Sequence, residues 1–152
     1  MPKMLTKHFS LEELTVSETA ARKGIDNTPG PVELRNLKRL AQTLEKLRSA
    51  LGNQPIVVTS GYRSPALNAA IGGSKSSRHM QGLAADFISP GYGTVLQTAR
   101  KVVDCGVEFD QTIYEFGDWL HFGLSPTGQT PRGEVLSIGS ANEYVPGLTN
   151  NC

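Results

Sequence analysis

Apolar residues recur with helical period through the first third of the chain. Val32, Leu34, Leu37, Leu40, Ala41, Leu44, Leu47 and Leu51 fall on one face of a helix that ends near Gly52. The turn-rich stretch Asp26-Asn27-Thr28-Pro29-Gly30-Pro31 precedes that helix. Further upstream, Ser10-Leu11-Glu12-Glu13 has the form of a capping box and predicts a short helix starting there. Beyond Pro55 the pattern changes. Ile56-Val57-Val58-Thr59 is a β-branched run bounded by turn residues, as a buried strand requires. Ser64-Pro65 reads as an N-cap followed by proline at the first helical position, opening a short helix that stops at Gly72-Gly73. A polar loop, Ser74 to Arg78, leads to the apolar run Leu83 to Ile88, a second strand. Thr94 to Asp104 fits another helix, ending at Gly106. Apolar segments around Ile113-Tyr114 and from Trp119 to Leu124 then form a predicted hairpin across Gly117. From Pro126 the chain is rich in Gly, Ser, Thr and Asn, and residues 126–152 are expected to wrap the surface of a single domain spanning 1–152.

Composition narrows the classes. The 152 residues carry 15 Lys+Arg against 14 Asp+Glu, a formal net charge of +1, with no basic block of the kind that phosphate-backbone binding needs. Nucleic acid is therefore not an expected partner. A chain of this size buries roughly 70% of its unfolded surface and needs no metal or disulfide merely to fold. No apolar run approaches the roughly 20 residues of a membrane span. Met1-Pro2-Lys3-Met4-Leu5-Thr6 also lacks the apolar stretch of a signal peptide, so synthesis in the cytoplasm is expected. Cys105 and Cys152 stand at no ligand spacing.

Candidate chemistry gathers around two of the three histidines. His79 precedes Asp86 by seven positions, and Asp118 precedes His121 by three. Each histidine alone would more often be a core or surface residue. Two imidazoles and one carboxylate together, however, make a zinc set that leaves the fourth tetrahedral position open, as catalytic zinc requires. His8, before the capping box, reads as solvated.

Three segments then occur in order: Ser60-Gly61-Tyr62-Arg63-Ser64-Pro65, Ser77-Arg78-His79-Met80-Gln81-Gly82-Leu83-Ala84-Ala85-Asp86, and Trp119-Leu120-His121. Together they resemble the zinc D-Ala-D-Ala carboxypeptidase family, and within it the small murein peptidases of bacteria and bacteriophages. The resemblance runs from about Phe9 to about Phe122. It implies an α+β fold like that of DD-peptidases and Hedgehog domains: a small, mainly antiparallel sheet with helices on one face and a zinc groove on the other. It implies His79, Asp86 and His121 as Zn2+ ligands and Arg63 as the cation beside the scissile carbonyl, where a guanidinium fork suits an oxyanion. Ser77 joins the substrate contacts in that pattern. Tyr62 and Trp119 either wall the groove or fill the core.

For the general base, the family's acid three residues before the last histidine puts Asp118 first. Glu115 is the rival: a three-residue loop Phe116-Gly117-Asp118 would pair Glu115 with Trp119 on the face of His121, whereas a two-residue turn would point it away. The implied function is zinc-dependent hydrolysis of a peptide bond in the peptidoglycan stem peptide, as a D-Ala carboxypeptidase or a murein endopeptidase. Action in the periplasm or cell wall follows, as a phage endolysin released by a separate protein or as a virion component with virion partners. The competing class is a non-catalytic structural or binding protein of a phage particle that keeps the fold.

Overall fold

The computed structural model describes residues 3–149. In chain order the helices are α1 (Glu18–Lys23), α2 (Pro31–Ala50), α3 (Pro65–Ala70) and α4 (Val95–Asp104), with a 3-10 helix at Arg78–Gln81. The strands are β1 (Val57–Ser60), β2 (Ala84–Ile88), β3 (Gln111–Glu115), β4 (Trp119–Gly123), β5 (Glu134–Ile138) and β6 (Tyr144–Pro146). They form an α+β fold around a six-stranded sheet in the order β1-β2-β4-β3-β5-β6.

The sheet is mixed, which corrects the mainly antiparallel expectation. β5 runs parallel to β3, because the chain returns along residues 124–133 to re-enter the sheet beside β3 in the same direction. β5 and β6 lie in the stretch expected to wrap the surface. Its described part instead extends the sheet, with Ser137 and Ile138 buried; residues 150–152, including Cys152, lie outside the described residues. The Ser10 capping box forms: the Ser10 hydroxyl accepts from the Glu13 amide at 3.1 Å and Glu13 accepts from the Ser10 amide at 3.0 Å. It closes only one turn. The first helix starts at Ser17, whose side chain caps Ala20.

Strand alternation sorts the sheet into two faces. Ala85 and Phe87 on β2, with Leu120 and Phe122 on β4, point toward α2 and α4, where they meet Leu37, Leu40, Leu44, Leu47, Ala99 and Val102 in one apolar core. The residues between them face the other way. Asp86 pairs with His121 and His121 with Ile113, forming a row across three strands. No helix among the described residues is long and apolar enough to cross a membrane.

Candidate metal centre and active-site groove

Asp86 and His121 reach the groove face because they alternate with core residues on neighbouring strands. His79 arrives from the 3-10 helix Arg78–Gln81, which Ser77 caps by accepting from the His79 amide at 3.2 Å. That helix ends on Gly82 at φ 72°, a left-handed position where a Cβ would lie 2.6 Å from the Glu33 carbonyl of α2. Glycine is the residue that lets the turn close against α2 and present His79 inward.

The three side chains converge. Among the described residues, His79, Asp86 and His121 bring one donor atom each to within 4.8 Å of one another and can hold a metal ion. His79 Nδ1 lies 2.8 Å from the Gly61 carbonyl, which can only accept, so Nδ1 carries the proton and Nε2 presents its lone pair. Nε2 is buried and has no hydrogen-bond partner; it sits 3.2 Å from Asp86 Oδ1 but outside hydrogen-bond geometry. His121 Nδ1 lies 2.9 Å from the same oxygen. An orphaned imidazole nitrogen aimed at a shared carboxylate is costly in a metal-free interior and is what a first coordination shell looks like. Two nitrogens and one oxygen suit zinc.

Electrostatics fits that donor set. Burial alone would push Asp86 up, but its polar surroundings, foremost the hydrogen bond from His121, outweigh it and hold the carboxyl well below the usual range, so it stays anionic. Burial pulls His79 below its ordinary 6.5, despite Asp86, which keeps the imidazole neutral and able to ligate.

A groove of about 650 Å³ runs over this centre. Gln111, Ile113 and Glu115, alternate residues of β3, line it together. Arg63 also lines it, with Nη2 3.8 Å from Asp86 Oδ2. Glu115 pairs with Trp119 across the three-residue connection Phe116-Gly117-Asp118, and Trp119 Nε1 donates to Glu115 Oε2 at 2.7 Å. Burial and then the Asp86 charge raise the Glu115 carboxyl above its ordinary 4.5. Asp118 is exposed in the turn and does not line the groove, contrary to its first rank in the sequence reading.

The remaining expectations divide. Ser77 lines the groove. Tyr62 does not: it is 6% exposed and belongs to the core, because its amide is tied to the Leu14 carbonyl at 2.7 Å. Trp119 does not line the groove; its Nε1 donates to Glu115, which does, and its ring is tilted against Phe116. His8 is exposed, as expected, and its Nδ1 meets Glu45 of α2 at 2.6 Å, away from the groove. Two groove residues come from the tail and went unseen in the sequence: Tyr144 on β6 and Arg132 just before β5. Arg132 binds the buried Asp110 through Nε and Nη2.

A metal-binding, carboxylate-bearing groove on an α+β sheet is the arrangement of a metallopeptidase. Residues 7–123 match the family model for Peptidase M15, and the chain belongs to that family. It is also 44% identical over 60 residues to the zinc D-Ala-D-Ala carboxypeptidase of Streptomyces albus G, a match that covers 38% of this chain and 24% of that relative. The chain thus aligns with about a quarter of the relative's length.

Proposed function

We propose that this protein is a zinc peptidase that hydrolyses a peptide bond in the stem peptide of peptidoglycan. The observation that carries the reading is the unpartnered, buried His79 Nε2 facing Asp86 and His121 in a groove that also holds Glu115 and Arg63. His79, Asp86 and His121 would hold the ion. Zinc, when bound, supplies Lewis acidity, polarising a peptide carbonyl and acidifying water.

The protein's own groups do the rest. Glu115, its carboxyl raised and one oxygen fixed by Trp119, takes a proton from the attacking water and returns it to the leaving amine. Arg63 offers guanidinium N–H groups to the oxyanion that develops on the carbonyl. Ser77 and Ile113 contact the peptide along the groove wall. Asp118 serves the hairpin turn, its amide donating to the Glu115 carbonyl at 2.9 Å.

The printed activity of the Streptomyces relative supports removal of a terminal D-alanine. The groove, which continues past the ligand row toward Gln111 and Arg132 on one side and Glu115 and Tyr144 on the other, supports cleavage within the stem. The motif resemblance to small murein peptidases supports a phage lysis enzyme or virion component acting in the periplasm or cell wall. Digestion of purified sacculi by the zinc-loaded protein, with products identified by mass spectrometry, tests the reading. Release of free D-alanine or of cleaved stems is expected, lost on chelation and restored by zinc. Intact muropeptides from fully zinc-loaded protein would contradict it and leave a structural or binding module.

A further inference from the structure

Arg63 lies on a loop, yet its guanidinium is held from several sides. Nε donates to Ser60 Oγ at 3.3 Å, and Nη1 donates to Asn68 Oδ1 at 3.0 Å. Asn68 sits on α3 and is 3% exposed. A buried amide needs its whole hydrogen-bonding capacity satisfied, and Asn68 divides it between two parts of the groove. Its Oδ1 takes the Arg63 hydrogen bond, and its Nδ2 donates to the Ser74 carbonyl at 2.9 Å. With an arginine on one side and a carbonyl on the other, the amide has only one orientation that works.

The backbone repeats the connection. The Gly73 amide donates to the Asn68 carbonyl at 2.9 Å, and residues 72–74 line the groove. A Cβ on Gly73 would run into the Asn68 side-chain oxygen and come within 2.8 Å of Arg63 Nη1. The glycine thus leaves open the space in which the two side chains meet. α3 itself is anchored by Ser64, whose side chain caps Leu67 and whose amide donates to Asn27 Oδ1.

We propose that Asn68 is a positioning residue. It holds the Arg63 guanidinium toward the Asp86 side of the groove and ties that placement to the groove wall at Gly73-Ser74. Asn68 contacts no reacting atom and acts through Arg63. Its effect on turnover rests on the peptidase reading above; its hold on Arg63 does not.

The test has two arms on the zinc-loaded chain. In the first, the side-chain Nη1–H resonance of Arg63, the group that donates to Asn68 Oδ1, is followed by 15N NMR. A resolved, slowly exchanging signal is expected in the wild type and in Asn68→Asp, which keeps the acceptor. Collapse to a solvent-averaged signal is expected in Asn68→Ala. An unchanged signal in Asn68→Ala would overturn the proposal. In the second, Asn68→Ala lowers kcat about tenfold at unchanged KM and zinc content, a fraction of the cost of deleting an oriented donor. In an Arg63→Ala background the same change costs no more than about twofold, as coupled residues require. An equal loss in both backgrounds, or a loss in Asn68→Asp as large as in Asn68→Ala, would overturn it in favour of a merely structural amide. Should Asn68→Ala fail to fold, Asn68→Leu, which fills the buried space but removes the acceptor, takes its place in both arms with the same expected and contradicting results. If the wild type hydrolyses nothing, the peptidase reading falls while the Arg63 resonance still decides the positioning claim.

Discussion

The two faces of β2 and β4 are built from the same ten residues and obey opposite rules. On one face Ala85, Phe87, Leu120 and Phe122 are fully buried against α2 and α4. One residue away along each strand, Asp86 and His121 sit with about an eighth of each side chain exposed. The apolar face is held by area and close packing and tolerates changes of chemistry poorly. The groove face holds an ionised carboxylate that survives burial because His121 hydrogen-bonds it. A site of this kind needs the core behind it, since the pleat that aims Asp86 and His121 is fixed by Phe87 and Phe122.

The largest effect is expected from breaking the polar face. His121→Ala leaves two donors, too few for a tight zinc site, so metal content falls from about one per chain and hydrolysis drops to background. Elemental analysis of the dialysed protein reads this. Breaking the apolar face directly behind it gives the next effect. Phe122→Ala removes a fully buried ring on the core face and is expected to cost roughly 3–5 kcal/mol in denaturant unfolding. Loss of zinc in parallel with stability would show that the faces are coupled.

A smaller effect is one of pH. Because burial and Asp86 raise Glu115, its base form accumulates only as pH rises through a value above 4.5. The acid limb of kcat/KM is expected above 4.5 and should vanish from the residual activity of Glu115→Gln. The same raised value means that Glu115 favours the folded state most at low pH, a contribution lost as pH rises through it. The smallest effect separates core from groove at a single aromatic: Tyr62→Phe keeps the buried ring and should leave KM within about twofold.

Much of this was legible because local chemistry agreed with the final fold. The leucine period of α2 and the Ser64-Pro65 start of α3 carry their signal locally, and the His79, Asp86, His121 set carries it in short motifs that keep their order along the chain. The tail was not legible, since β5 and β6 are strands through their pairing with β3 and with each other rather than through composition. The same long-range pairing left the choice between the two loop lengths, and with it the ranking of Glu115 against Asp118, open in the sequence. The three-residue connection depends on Phe116 adopting φ 57°, an unusual conformation for a bulky residue, and its amide is fixed by the Ile138 carbonyl of β5 at 2.8 Å. Nothing near Glu115 in the sequence announces a contact 22 residues away, and without it Asp118 was the natural choice. The Ser10 capping box misled for the opposite reason: a local signal was satisfied, but the chain beyond it leaves the helix after one turn.

The central claim is that the groove face, not the adjoining turn, carries the chemistry. Glu115→Gln and Asp118→Asn, assayed side by side for zinc content and for product release from sacculi, test it most directly. About one zinc per chain is expected in both, with Glu115→Gln losing at least about a hundredfold in turnover and Asp118→Asn within about twofold of the wild type. Full activity in Glu115→Gln, with a collapse in zinc-loaded Asp118→Asn, would contradict it.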